Sequence, residues 1–107
     1  MANNTGTADF TSGTGVKTFS IGMTPTWMQL FIHASGCKPT QGFIYGGNQY
    51  SLSDETSNPV AKALQVKDTS GTIVFEGTWT SFASSQVNFN VTTNTLGTPR
   101  ILMVFGN

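Results

Sequence analysis

The stretch that most restricts how this chain can fold runs from Trp27 to Ala34. Trp27, Gln29, Phe31 and His33 fall on one face of an extended chain, and Met28, Leu30 and Ile32 on the other. Apolar groups on both faces predict a strand covered on both sides, in the middle of a packed sheet. The segment before it reads as a shorter strand, with Phe19, Ile21 and Lys17 on one side and Val16, Thr18 and Ser20 on the other. Gly22 and Pro25 mark the turn between the two, where Pro25 fixes its own φ and pushes Thr24 toward extended geometry.

The rest of the chain repeats this rhythm. Gly42–Ser53 reads as a hairpin turning at Gly46-Gly47-Asn48. Ser53–Pro59 is a polar loop, and Asn58-Pro59 can also cap a helical turn through Ala63. Asp68-Thr-Ser-Gly71 is a turn between Leu64–Lys67 and Thr72–Phe75. A four-residue loop there pairs Val66 with Ile73 and Leu64 with Phe75. Gly77–Ser85 is either a twisted strand or a loop. In Gln86–Thr92, Val87, Phe89 and Val91 alternate with Asn88 and Asn90, so one face meets the core and the other meets water or a partner. Arg100–Phe105 is apolar on both faces, which predicts a closing strand inside a sheet. Residues 1 to 14 are polar apart from Phe10 and too poor in apolar surface to fold alone. They are expected as an N-terminal arm, frayed or ordered on a neighbouring subunit through Asp9 and Phe10, with a short edge strand over Ala8–Thr11 as the other reading. The expectation is one all-β domain over residues 15 to 107. It would be a small antiparallel sandwich, jelly-roll-like, of about seven or eight strands with a polar arm.

Composition narrows the function. Charged residues make up 9% of the chain and balance at five basic and five acidic, where an ordinary domain carries about 25%. Nucleic acid is excluded as a partner because its binding needs clustered Lys and Arg, and a polybasic membrane site is excluded for the same reason. With little charge repulsion between copies, self-association is expected. No apolar run is long enough to span a membrane. The first residues lack the basic and apolar regions of a secretory leader, so the chain is expected to fold where it is made.

No constellation of residues spells out a reaction. His33 is the single histidine and has no second ligand at metal spacing. Cys37 is the single cysteine, without a flanking histidine or acid to activate it. Asp54-Glu55 is the only adjacent carboxylate pair, and neighbours on extended chain point opposite ways. No catalytic residue, metal site or cofactor is expected. Tyr45, Tyr50 and Trp79, with Trp27, are candidates to stack on a sugar ring, though Trp27 has the spacing of a core residue and Trp79 can equally cap the end of a sandwich.

Asp9-Phe-Thr-Ser-Gly-Thr-Gly-Val-Lys-Thr-Phe-Ser-Ile-Gly-Met-Thr-Pro-Thr-Trp-Met28 resembles a pattern in bacteriophage virion proteins, especially decoration and fibre modules. There a phenylalanine and a Gly/Thr-rich turn precede a short strand, then Gly-aromatic-Thr-Pro, then an apolar strand. Met23 stands where that pattern has phenylalanine. The segment from Gln86-Val-Asn-Phe-Asn-Val91 to Phe105-Gly106 is similar to the last two strands of such modules. H-type lectins share a similar rhythm. The resemblance implies a small sandwich working as a homo-oligomer, often a trimer, within a virion. Its implied partners are other virion proteins such as the major capsid protein; the lectin likeness adds surface glycans. It carries over no catalytic residue.

Overall fold

The structure, a computed structural model, describes residues 3–53 and 59–107. Among these it has nine strands: β1 (Asn3–Asp9), β2 (Gly15–Ser20), β3 (Trp27–His33), β4 (Thr40–Tyr45), β5 (Asn48–Leu52), β6 (Leu64–Lys67), β7 (Ile73–Ala83), β8 (Gln86–Asn94) and β9 (Arg100–Gly106). They form two antiparallel sheets, β1-β9-β3-β4-β5 and β2-β8-β7-β6, giving the expected all-β sandwich. The core between them holds Met28, Leu30 and Ile32 from β3, Ile101, Met103 and Phe105 from β9, and Val87, Phe89 and Val91 from β8. β3 is the middle strand of the larger sheet, and β9 lies inside that sheet between β1 and β3.

The N-terminal segment corrects the expected arm. Asn3–Asp9 pairs residue for residue with β9, from Asn3 opposite Gly106 to Asp9 opposite Arg100. It is the edge strand of this chain's own sheet, longer than the Ala8–Thr11 alternative and starting earlier. Phe10 is fully buried, and its N–H donates to the Pro99 carbonyl at 2.9 Å. The segment is polar because an edge strand with one outward face needs few apolar side chains. Its stability comes from the ladder to β9 and from one anchoring ring.

Local chemistry accounts for the turns. Gly46 and Gly47 have φ of 59° and 82° and join β4 to β5 in two residues, the twist-matched hairpin geometry that glycine adopts without strain. The β6–β7 pair departs from the expected register: Val66 faces Phe75 and Leu64 faces Gly77, with an irregularity between Val66 and Lys67. The Asp68 carboxylate accepts the N–H groups of both Ser70 and Thr72 at 2.9 Å. That widens the loop, and the two-residue shift keeps Leu64, Val66 and Phe75 facing inward. Gly77–Ala83 is strand, bent by irregularities at Glu76/Gly77 and Trp79/Ser81. Over residues 59–63 there is no helical turn; Val60 instead exchanges both main-chain hydrogen bonds with Ser51 at 3.0 Å. Asn58 and the Asp54-Glu55 pair lie outside the described residues.

One side chain stitches the two sheets together. Gln49, on the inner face of β5, donates from Nε2 to the Trp79 carbonyl at 2.8 Å. Its Oε1 accepts the N–H of Trp79 at 2.7 Å and of Ala63 at 2.9 Å. The amide thus replaces a missing strand-to-strand ladder between β5 and β7. Gln49→Leu keeps the volume but leaves three main-chain groups without partners. We expect a loss of roughly 3 kcal/mol, read from urea unfolding; a loss below about 1 kcal/mol would show that water serves these groups equally well.

Candidate functional site

The two outer faces of the sandwich differ in chemistry. On the four-stranded sheet, Thr18 donates to Asn88 Oδ1 at 2.6 Å and Asn88 Nδ2 donates to Ser81 at 3.1 Å. This ladder of hydroxyls and amides is the polar face expected around Asn88 and Asn90, and Val16 is an isolated apolar residue on it.

The outer face of the five-stranded sheet is apolar. Register places its side chains in rows across the strands. One row runs Asn3, Gly106, Trp27, Tyr45, Asn48; the next Thr5, Val104, Gln29, Phe43, Tyr50; the third Thr7, Leu102, Phe31, Gln41, Leu52. Five of the exposed large apolar residues lie here: Phe43, Tyr45, Tyr50, Leu52 and Leu102. Trp27, Gln29 and Phe31 are half-buried among them. Alternation expected this face of β3 to be covered; among the described residues no second layer lies on it. Sequence could not show this, because the same pattern of Trp, Phe and Leu serves a covered face and an adhesive one.

The face has relief. Tyr45, 75% exposed, stands at one end beside a shallow groove of about 280 Å³ lined by Trp27, Gln29 and Phe43. At the other end a hollow of about 460 Å³ is lined by Phe31, His33, Gln41, Leu102 and the loop through Cys37 and Pro39. At the corner beyond it, Arg100 Nε donates to Asp9 Oδ1 at 2.9 Å, across the last paired position of β1 and β9.

The hydrogen bond from Arg100 holds the Asp9 carboxyl below its usual range; desolvation opposes it and the guanidinium charge adds to it. A folded pKa below the unfolded one favours folding above the unfolded pKa, and this is lost as pH falls through the folded value. We therefore expect the Asp9 carboxyl to titrate by NMR below the usual value of about 3.9 and to return to it in Arg100→Gln. An unchanged midpoint would remove the ion pair from solution. Glu76 titrates low for related reasons: burial raises its pKa, but hydrogen bonds from Gln65 and Lys62 and the Lys62 charge outweigh it.

The structure sorts the expected site residues. Tyr45 and Tyr50 share the apolar face, one row apart on neighbouring strands. Trp79 does not join them. It belongs to the other sheet, packs on Phe82 with ring centroids 5.0 Å apart and contributes to the core rim, so it caps the sandwich instead of forming a shelf. Trp27, read as core, takes its place on the face because it lies directly opposite Tyr45. Asp9 and Phe10 are not a subunit anchor within this fold: one holds the β1–β9 corner and the other the core. His33 and Cys37 both line the hollow; Asp9 is engaged by Arg100, and Asp68, bridged to Cys37 through the main chain, accepts the N–H groups of Ser70 and Thr72 with its carboxylate. Among the described residues no three His, Cys, Asp or Glu side chains gather where a metal could sit, and no helix is long and apolar enough to cross a membrane. Comparison with protein-family models, with curated proteins and with solved structures found no match to this chain.

Proposed function

We propose that this chain is a non-enzymatic structural protein of a bacteriophage particle, first of all a capsid decoration or cement protein, with a tail or fibre component as the neighbouring case. The observation that carries the reading is the nearly uncharged apolar face over β9, β3, β4 and β5. An uncovered patch of this kind marks an interaction surface, and a rigid two-sheet body is a suitable support for one. The resemblance of residues 9–28 to virion modules supplies the particle. The mechanism is adhesion by burial, multiplied by many copies on a repeating lattice; the partners are further copies of the chain and virion proteins such as the major capsid protein. Mass spectrometry of purified particles from a phage carrying this coding sequence is expected to find the chain in many copies per particle. Its absence from particles, with the free protein present in the lysate, would overturn the reading.

Carbohydrate binding is the second reading, favoured by Tyr45 and Tyr50 standing 75% and 48% exposed beside the amides of Gln29, Gln41 and Asn48. Rings that stack on a sugar and amides that bond its hydroxyls are both in place. A glycan array with hits lost in Tyr45→Ala would establish it, and an empty array would remove it.

A further inference from the structure

The partner that fits the apolar face best is the same face of a second copy, and we propose that two chains pair across it about a twofold axis. This deepens the reading of the face as an assembly surface and rests on it. Three features point to a second copy.

The first is charge. The three rows of the face carry no charged side chain; the charges lie at one end, where Arg100 is paired with Asp9 and Lys38 lines the hollow, and a twofold axis through the middle row keeps these ends of the two copies apart. Two copies meet without repulsion.

The second is shape. An axis running across the strands through the row of Gln29 and Phe43 exchanges the two ends of the face. It sets the projecting Tyr45 of each copy over the hollow of the other, between Phe31, Gln41 and Leu102. At about 460 Å³ the hollow is roomy enough for a phenol ring. Knob and hole thus lie on one surface at mirrored rows, as an isologous interface requires. Two sheets of equal twist also stack face to face in the aligned manner of a sandwich core.

The third is area. With strands about 4.8 Å apart and about 3.3 Å per residue, the face is roughly 20 Å on each side. Covering it on two copies removes on the order of 1,000 Å², the lower limit of a specific interface. The result is a weak dimer that a particle surface can reinforce.

The test uses the full chain with Cys37→Ser, so that introduced thiols are the only ones. Light scattering at concentrations rising into the millimolar range is expected to reach the mass of two chains. Tyr45→Ala should weaken the association by roughly thirtyfold or more, with an unchanged β-sheet circular dichroism spectrum. Gln29→Cys lies on the axis and should cross-link to its counterpart with a short bismaleimide, whereas Val16→Cys, on the opposite face, should not. A mass of three chains, or cross-linking through Val16 and not Gln29, would overturn the twofold pairing. So would a persistent monomer. If that monomer is still incorporated into particles, the structural role stands and only the self-pairing fails; if it is absent from them, both fail together.

Discussion

Phe10→Ala is expected to cost about 3–5 kcal/mol, a large part of the roughly 5–15 kcal/mol that holds a domain of this kind together. The ring is fully buried and sits within 5.0 Å of Phe19, 4.9 Å of Phe75 and 5.8 Å of Phe89, centroid to centroid. It comes from the linker between the two sheets' edge strands and fills the space beside them. Truncation leaves a cavity that the stiff surrounding strands cannot close. Urea unfolding at two protein concentrations checks both the size and the origin of the effect. A ring belonging to its own core gives a loss independent of concentration; a ring docked on a neighbouring subunit gives a loss that shrinks at high dilution, where the unsubstituted chain has lost the contact too. A loss under about 1 kcal/mol would contradict the position of Phe10. For the same reason, removing residues 1 to 14 is not the trimming of an arm: it strips an edge strand and a core ring together.

Gly42→Val is expected to be at least as damaging, about 4 kcal/mol or more, although strand propensity alone favours valine over glycine by up to about 1 kcal/mol. A Cβ built at Gly42 would lie 2.3 Å from the Ala63 carbonyl oxygen and 2.6 Å from Leu30 Cδ1. Leu30 can rotate away, but the carbonyl is main chain in the segment leading into β6. The glycine lets that segment cross against the inner face of β4, where Thr40 and Ile44 flank it. A fall in melting temperature of at least about 15 °C is expected, and Leu30→Ala should not restore it because the carbonyl remains. A melting temperature within a few degrees of the unsubstituted protein would show that the crossing is looser than this geometry requires.

How much of this was legible beforehand depended on whether a residue's role was local. The inward set Val87, Phe89 and Val91, the Gly46-Gly47 hairpin and the interior position of β9 followed from period-two alternation and turn chemistry, which act within a few residues. The Ser84-Ser85 turn was not legible: both residues take positive φ, 55° and 59°, in a geometry where glycine or asparagine is the usual signal. Its support comes from Thr24, whose hydroxyl accepts the Ser85 N–H at 2.8 Å, 61 positions away. The β6–β7 register slipped from expectation because the Asp68 carboxylate, not loop length, decided how wide the turn opened. β1 was legible only at its end, in the Ala8–Thr11 edge-strand alternative, because its few apolar side chains concealed a full ladder to a strand at the other end of the chain.

By itself, the sequence determined the all-β class, the alternation that divides most strands into an inward and an outward face, and the low, balanced charge. Tertiary structure decided which outward face stays open. Trp27, Phe31, Phe43, Tyr45, Tyr50 and Leu102 come from four different strands, and only sheet order and register gather them into one surface while leaving Trp79 in the other sheet, partly buried at the rim of the core. Alternation records that a side chain points away from its neighbours along the strand. What then lies above that side chain is fixed by pairings between distant segments, and no local pattern encodes it.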